Sequence, residues 1–269
     1  MTAADNVLKK VSFIIPNWNH KELLDECLMS VENSEGEFER EVIVVDNGST
    51  DKSADLVRQK YKYVNIVENK QNEGYAKAVN KGITLSTGDY VFLLNNDVRL
   101  YKDTTVKLIE FLETRQDAGA SCPLLYYPET GAEMTKGALQ ISCRRFPTPA
   151  ALILEGLNIK KAGPFRSWKM TEEEHLNSGA VLQPMAAVLL IKRECLLAVG
   201  LMDERFPIFF NDVDWCYRLY KHRQYRIYLY TDAQALHHEG ATIKRLGYKK
   251  KIEFYKGLFR FYLKHFIYR

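Results

Sequence analysis

An α/β architecture on a mostly parallel central sheet flanked by helices is predicted for this 269-residue chain. Three observations predict it. Apolar, β-branched runs alternate with segments of helical spacing through residues 11–94, which is how parallel strands joined by helical crossovers read. The runs are continuous and not alternating, as strands buried on both faces are. Each run ends in a cluster of small polar residues, and in an open parallel sheet the carboxyl ends of the strands share one edge, where ligands bind.

The elements follow in order. Residues 11–15 form a first strand ending at Pro16. Residues 21–31 carry Leu23, Leu24, Cys27, Leu28 and Val31 at helical spacing. A second strand covers 41–45, and 51–61 reads as a helix capped by Ser49 or Thr50. A third strand spans 63–67, a helix 75–85, and a fourth strand 89–94. Beyond these the pattern loosens. Residues 102–115 look helical. The stretch 142–179, with Pro147, Pro149, Pro164 and several glycines, reads as a long, partly loop-like insert. A strand at 188–191, a helix at 212–221 and a strand at 225–230 complete the body.

Composition narrows the classes. Hydrophobic residues make up 46% and charged residues 27%, which is globular usage and excludes a disordered or fibrous chain. No uncharged apolar run approaches the roughly 18 residues of a spanning helix. The start, MTAADNVLKK, lacks the apolar core of a signal peptide, so a cytoplasmic protein is expected. Five scattered cysteines without a C-x-x-C disfavour a disulfide framework, a structural zinc or a redox motif. Neither G-x-G-x-x-G nor G-x-x-x-x-G-K-[ST] occurs, so dinucleotide dehydrogenases and P-loop NTPases lose their support.

Four strand ends aim polar residues at one rim: Pro16-Asn17-Trp18-Asn19, Asp46-Asn47-Gly48-Ser49-Thr50-Asp51, the 69–74 segment with Asn72 and Gly74, and Asn95-Asn96-Asp97. Any one of them is explained by turn chemistry; four in register point to a site. That site is acidic and amide-rich, so holding a diphosphate would require a cation. Asp97, directly after an apolar strand, is placed to be an oxygen ligand for Mg²⁺ or Mn²⁺, or else a turn or cap residue. A second constellation follows the aromatic run 206–210. Asp212 and Asp214 open a helix, two positions apart and therefore on different sides. One is free to cap while the other, partly desolvated, serves as a general base. His237 and His238 lie on an extended segment and point opposite ways, so at most one is a ligand.

The charge is uneven. The last 28 residues carry nine Lys/Arg against one acid, so a net +8 tail follows a −4 body. Residues 250–269 place Ile252, Tyr255, Leu258, Phe259, Tyr262, Leu263 and Phe266 at helical spacing with basic residues between them. Two readings stay open: a terminal helix packed on the body, or an amphipathic helix at an anionic membrane surface. No nucleic-acid-binding motif accompanies the basic residues, so no nucleic acid partner is expected.

Together the stretches VSFIIPNWN, EVIVVDNGSTD, NEGYAKAVNKGI, GDYVFLLNNDV, LLIKRECLLAVGLMDERF, FFNDVDWC and LHHEGAT resemble the inverting family-2 glycosyltransferases of GT-A fold, in particular the rhamnosyltransferase-like branch that builds bacterial cell-surface polysaccharides. The resemblance implies a catalytic domain over 1–242, with a nucleotide-binding half at 11–98 and an acceptor and metal half at 99–242, followed by a basic helix over 243–269. It implies that Trp18 stacks on the base beside Pro16, Asn17 and Asn19, and that Asp46 bonds the pyrimidine edge next to Asn47. Asn72 and Gly74 would line the nucleotide pocket. Asn95-Asn96-Asp97 stands where the family has D-x-D, with Asn96 near the ribose and Asp97 on a divalent cation (Mg²⁺ or Mn²⁺) that His237 completes. Asp212 would be the general base, with Asn211 in place of a common acid. Gln183-Pro184-Met185-Ala186-Ala187 replaces a small pair that usually lines the sugar site.

The implied reaction moves a sugar from a nucleotide-diphosphate donor, dTDP-rhamnose or a UDP-hexose, to a saccharide or lipid-diphosphate-linked acceptor, in the cytoplasm or at the inner face of the membrane. The competing reading is a non-catalytic nucleotide- or sugar-binding protein with a degenerate site, suggested by Asn95, Asn96 and Asn211.

Overall fold

A computed structural model describes residues 8–129, 135–240, 247 and 249–267. The chain runs β1 (Lys9–Asn17), α1 (Lys21–Glu32), β2 (Phe38–Asp46), α2 (Ser53–Lys60), β3 (Asn65–Glu68), α3 (Tyr75–Leu85), β4 (Tyr90–Leu94), β5 (Val98–Leu100), α4 (Thr104–Glu113), β6 (Ala118–Pro128), β7 (Lys136–Gln140) and β8 (Cys143–Arg144). It continues with α5 (Pro149–Gly156), β9 (Lys161–Ala162), β10 (Phe165–Arg166), α6 (Glu172–His175), β11 (Gly179–Val181), β12 (Gln183–Pro184), β13 (Val188–Lys192), α7 (Arg193–Val199), α8 (Asn211–His222), β14 (Arg226–His237), α9 (Lys249–Tyr262) and a π-helical turn at Leu263–Ile267.

The main sheet has the order β11-β14-β6-β13-β4-β1-β2-β3. The half formed by β4, β1, β2 and β3 is parallel, as expected. The other half corrects the expectation: β13 lies antiparallel between β4 and β6, so the sheet is mixed. The alternating faces of the buried strands make two cores. Ile14, Ile43, Val45, Leu93 and Ile191 pack with α3, α7 and α8. Phe13, Ile15, Val44, Phe92 and Leu190 pack with α1 and α4 on the opposite face. A continuous apolar run therefore serves both layers, because successive side chains point opposite ways.

Three differences from the sequence reading have local causes. The helix at 51–61 is shorter, and its start is held by Asp51, whose Oδ1 accepts from the Ser53 amide at 3.0 Å. Ser49 does not cap it because its hydroxyl accepts from the Asn19 amide and the Asn17 side chain. The insert at 142–179 is built from short elements: a Thr171–Glu174 capping box starts α6, and Arg145 pairs with Glu174. The strand expected at 225–230 extends to His237, passing a register break between Tyr230 and Gln234. All five cysteines are buried free thiols.

The C-terminal helix α9 packs on the body. Phe261 is fully buried, Phe254 meets Phe210 edge to face, and Lys264 and His265 both reach Asp214. No helix among the described residues is long and apolar enough to cross a membrane. The expected boundary at 242/243, and Lys244, Arg245 and Arg269 of the basic tail, lie outside the described residues.

Candidate functional site

The strand ends meet as expected, and most of their amides are spent on one another. Asn17 and Asp46 are register partners, and Asn17 Nδ2 donates to Asp46 Oδ2 at 2.9 Å. The other Asp46 oxygen accepts from the Ser49 amide at 2.8 Å. Asn96 Nδ2 donates to Asn17 Oδ1 at 2.6 Å. Asn47 donates to the Gly74 carbonyl and accepts from buried Asn69, which Lys81 contacts in turn. The network is buried and satisfied, which fixes the geometry of the rim. Pro16 is buried in β1 beyond Ile14, where the β4 ladder has opened, so its missing N–H costs little.

Trp18 and Asn19 follow half-buried at the β1 end, with Asn19 in the left-handed region and its Oδ1 holding the Thr50 amide at 2.7 Å. Asn72 is exposed, and its side chain accepts from the Gly74 amide at 2.9 Å. Gly74 has φ +90°, and a Cβ there would lie 2.9 Å from the Pro207 carbonyl. That close approach, with the Tyr75 amide donating to the same carbonyl at 2.8 Å, joins the start of α3 to the loop before α8.

Sheet register brings Asp97 and His237 together. β14 ends by pairing with β5, His237 opposite Val98, and the His238 amide donates to the Asp97 carbonyl at 3.0 Å. His237 Nε2 stands 3.3 Å from Asp97 Oδ1. His238 turns away, 3.9 Å from Glu26. Asp97 Oδ1 is buried and has no hydrogen-bond partner among the described residues. Burial pushes the Asp97 carboxyl up, but facing His237 outweighs it and holds the group below the usual carboxylate value.

Gln140, which sequence reasoning missed, sets the imidazole. Its Oε1 meets His237 Nδ1 at 2.8 Å while its Nε2 donates to Glu239. The amide oxygen accepts a hydrogen bond from Nδ1–H, which orients the ring so that Nε2 faces Asp97. With Nε2 unprotonated, that nitrogen and Asp97 Oδ1 would be two acceptors face to face in a buried place, an arrangement that a divalent cation satisfies. Among the described residues no three His, Cys, Asp or Glu side chains gather to enclose a metal. The pair therefore fits a cation whose remaining ligands come from a substrate diphosphate and water, not a closed protein cage.

Asp212 lies in the first turn of α8, half-buried, with Oδ2 3.3 Å from Gln183 Nε2. Burial raises its carboxyl above the usual value, while the Arg144 charge and the amides of Val213 and Ala186 pull back. Asp214 serves the packing of the helix instead, being wholly buried and bonded to Arg218, Lys264 and His265. Tyr75 is close enough to feel the charge of both the Asp212 and Asp97 carboxylates. Its hydroxyl donates to the Ala186 carbonyl at 3.0 Å, and after burial the charges of Asp212 and Asp97 are what raise its pKa further.

Asn211 donates to the carbonyls of Phe206 and Ile208, which no carboxylate could do. Asn96 likewise donates within the rim. These amides replace acids in donor roles and build the loop ahead of Asp212. Arg144, Gln140 and Gln183 are ordinary residue types in sequence; the register of β7 on β6 and of β8 on β12 gives them their positions. Cavity volume does not mark the site. Two cavities of about 420 and 470 Å³ lie under α8 and between the insert and the C-terminal helix, and neither is lined by Asp97, His237 or Asp212.

The model of glycosyl transferase family 2 matches residues 12–169. The chain belongs to glycosyl transferase family 2. It is 28% identical over 223 residues to an N-acetylglucosaminyl-diphospho-decaprenol L-rhamnosyltransferase of Mycobacterium tuberculosis, covering 76% of this chain and 68% of that one. It is also 28% identical over 169 residues to an abequosyltransferase of Salmonella typhimurium, covering 61% of this chain but only 42% of the relative. In fold, this family-2 chain resembles a mannosyltransferase from Pyrobaculum calidifontis solved with GDP-Man and Mn²⁺: the TM-score is 0.62 at 19% identity, over 96% of this chain and 64% of that one. A Staphylococcus aureus TarS structure gives a TM-score of 0.57 at 17% identity, over 91% and 65%. The architecture is the GT-A fold.

Proposed function

We propose that the chain transfers a sugar, with inversion, from a nucleotide-diphosphate donor to a saccharide or lipid-diphosphate-linked acceptor of a bacterial surface polysaccharide. The observation that carries this reading is the buried Asp97 carboxylate facing His237 Nε2 at 3.3 Å at the end of the polar rim. The relatives' names support a deoxysugar or hexose donor and, for one, an acceptor on a lipid diphosphate. The Mn²⁺ in the mannosyltransferase structure supports a divalent cation.

Asp97 and His237 would hold Mg²⁺ or Mn²⁺, which supplies Lewis-acid stabilisation of the leaving diphosphate. The chain's own residues do the rest. Trp18, Asn19 and the satisfied rim of Asn17, Asp46 and Asn47 receive the nucleotide, with Gly74 permitting close backbone approach, Asn72 fixing that turn, and Asn95 and Asn96 beside Asp97. Asp212 takes the proton from the attacking acceptor hydroxyl, so one displacement inverts the anomeric centre and no carboxylate nucleophile is required. The degenerate-site alternative weakens because Asn96 and Asn211 have donor roles of their own.

Asp97→Asn is the test. It keeps the shape and removes the charge. Calorimetric titration of UDP, GDP and dTDP is expected to show binding strengthened by Mn²⁺ in the wild type and at least tenfold weaker metal-dependent binding in the variant. Equal affinity with and without EDTA in both proteins would reject the cation site.

The same proposal places α9 at an anionic membrane surface. Its inner face is packed, yet Ile252, Tyr255 and Phe259 are 47%, 65% and 65% exposed among Lys249, Lys250, Lys251 and Lys256. Aromatic and basic residues together on a helix surface suit the lipid headgroup boundary. Flotation with vesicles containing phosphatidylglycerol is expected to carry the wild type, and Tyr255→Ser/Phe259→Ser to release it. Identical flotation of both would show that the exposed face has no lipid role.

A further inference from the structure

Beside Asp212, three side chains carry buried polar atoms that nothing among the described residues satisfies. Arg144 on β8 and Gln183 on β12 are direct cross-strand partners. Arg144 lies over the Trp168 ring, 5.1 Å from its centroid. Arg144 Nε, Trp168 Nε1 and Gln183 Oε1 have no hydrogen-bond partner among the described residues. Gln183 is 0% exposed and Trp168 9%, so bulk water does not readily replace the missing bonds, and a buried polar atom left without a partner is destabilising. Arg144 forms no ion pair among the described residues, and its only further polar contact there is the Met185 sulfur at 4.0 Å. Meanwhile Gln183 spends its Nε2 on Asp212 at 3.3 Å.

Two unsatisfied N–H donors, one of them on a guanidinium with no direct ion pair among the described residues, and one unsatisfied acceptor are what a phosphate next to a hydroxyl would fill. The donors match phosphate oxygens, for which guanidinium is the preferred partner, and the Gln183 oxygen matches a hydroxyl proton. We propose that Arg144, with Trp168 and Gln183, is a phosphate-binding subsite adjoining the base, reading a phosphate carried by a substrate. It rests on the sugar-transfer reading only for whose phosphate this is: the donor's diphosphate or the phosphate of a glycosyl-phosphate acceptor.

The full-length wild type, Arg144→Gln and Arg144→Lys are compared by calorimetry after thermal melts establish that each is folded. Sodium pyrophosphate without metal is the first probe. Wild-type binding weakened at least tenfold in Arg144→Gln supports the subsite. Mn²⁺ with UDP, GDP or dTDP is the second probe, and an alkyl-diphosphate N-acetylglucosamine the third. A tenfold loss confined to the nucleotide assigns the phosphate to the donor; a loss confined to the alkyl diphosphate assigns it to the acceptor. Affinities within twofold of wild type for every probe would overturn the proposal and leave Arg144 as a cover for Trp168. A wild type that binds no nucleotide would count against the sugar-transfer reading, while the pyrophosphate arm still decides the subsite. Should Arg144→Gln fail to fold, Arg144→Lys, which keeps charge but loses Nε–H and the planar fork, is read in the same way.

Discussion

Asp212→Asn is expected to bind donor like the wild type, to lose sugar transfer by roughly 10²–10⁴-fold, and to melt a few degrees higher at neutral pH. The first two effects follow from its proposed role: an amide of the same shape cannot take the acceptor proton, and Asp97 and His237 are untouched. The third follows from burial, the largest influence on this carboxyl, which raises its pKa against the pull of Arg144 and two backbone amides. An acid whose folded-state pKa is raised contributes stability below its unfolded value of 3.8 and loses it as pH rises through the folded value. At neutral pH the ionised carboxylate is therefore held at a cost that Asn removes, worth about 2–4 °C per kcal/mol in a chain of this size. The gain should vanish near pH 3, where the wild-type group is already neutral. The acid limb of kcat/KM should likewise lie above the ordinary aspartate value, since only the charged form acts as base. Product formation against pH, donor calorimetry and thermal melts read the three parts separately. Full transfer by Asp212→Asn would remove it from the chemistry.

The legible part of this protein was the part whose signals are local. β1, β2 and β4 are apolar runs that stop at polar clusters, and α3 occupies the expected residues, Tyr75–Leu85. β6 was not legible: Ala118–Pro128 is rich in small residues and contains Pro123, so it reads weakly as a strand. It is a strand because β13 and β14 pair with its two sides, a tertiary decision overriding propensity. The site divides in the same way. Asp97, Asp212 and His237 stand out as polar residues at the ends of apolar elements. Gln140 and Gln183 do not, because their importance comes from which side chain the register sets opposite them. The positions of the rim amides were legible, but their bonding was not. Asn96 donates to Asn17, Asn17 to Asp46, and Asn47 is taken up by Asn69 and the Gly74 carbonyl, while Ser49 serves that network and not the cap of α2.

Asp214→Ala is expected to cost roughly 3–5 kcal/mol, the usual penalty for breaking a buried ion pair, out of a total stability of about 5–15 kcal/mol for a typical domain. Asp214 is wholly inaccessible and accepts from Arg218 Nε at 2.9 Å, Lys264 Nζ at 2.6 Å and His265 Nε2 at 2.7 Å. Lys264 also reaches Asp203 at 2.7 Å, so one cluster ties the loop before α8, the first turn of α8 and the C-terminal turn. Packing reinforces it: a Cβ at Gly257 would lie 2.8 Å from Phe210, and Phe261 meets Tyr217 edge to face. Burial pushes the Asp214 carboxyl up, but His265, Lys264 and Arg218 outweigh it and hold the group below its ordinary 3.8. A depressed acid contributes stability above its unfolded pKa and loses it as pH falls through the folded value, so the gap between wild type and Asp214→Ala should be full at neutral pH and close below pH 3.8. Urea midpoints across that range measure it; a gap under about 1 kcal/mol at pH 7 would mean the cluster is ornamental. Asp212 sits two positions earlier on the same turn of α8. Loosening the C-terminal helix should therefore lower kcat as well, with donor affinity preserved, because the proton acceptor moves while the rim at Asp46 and Asn17 does not.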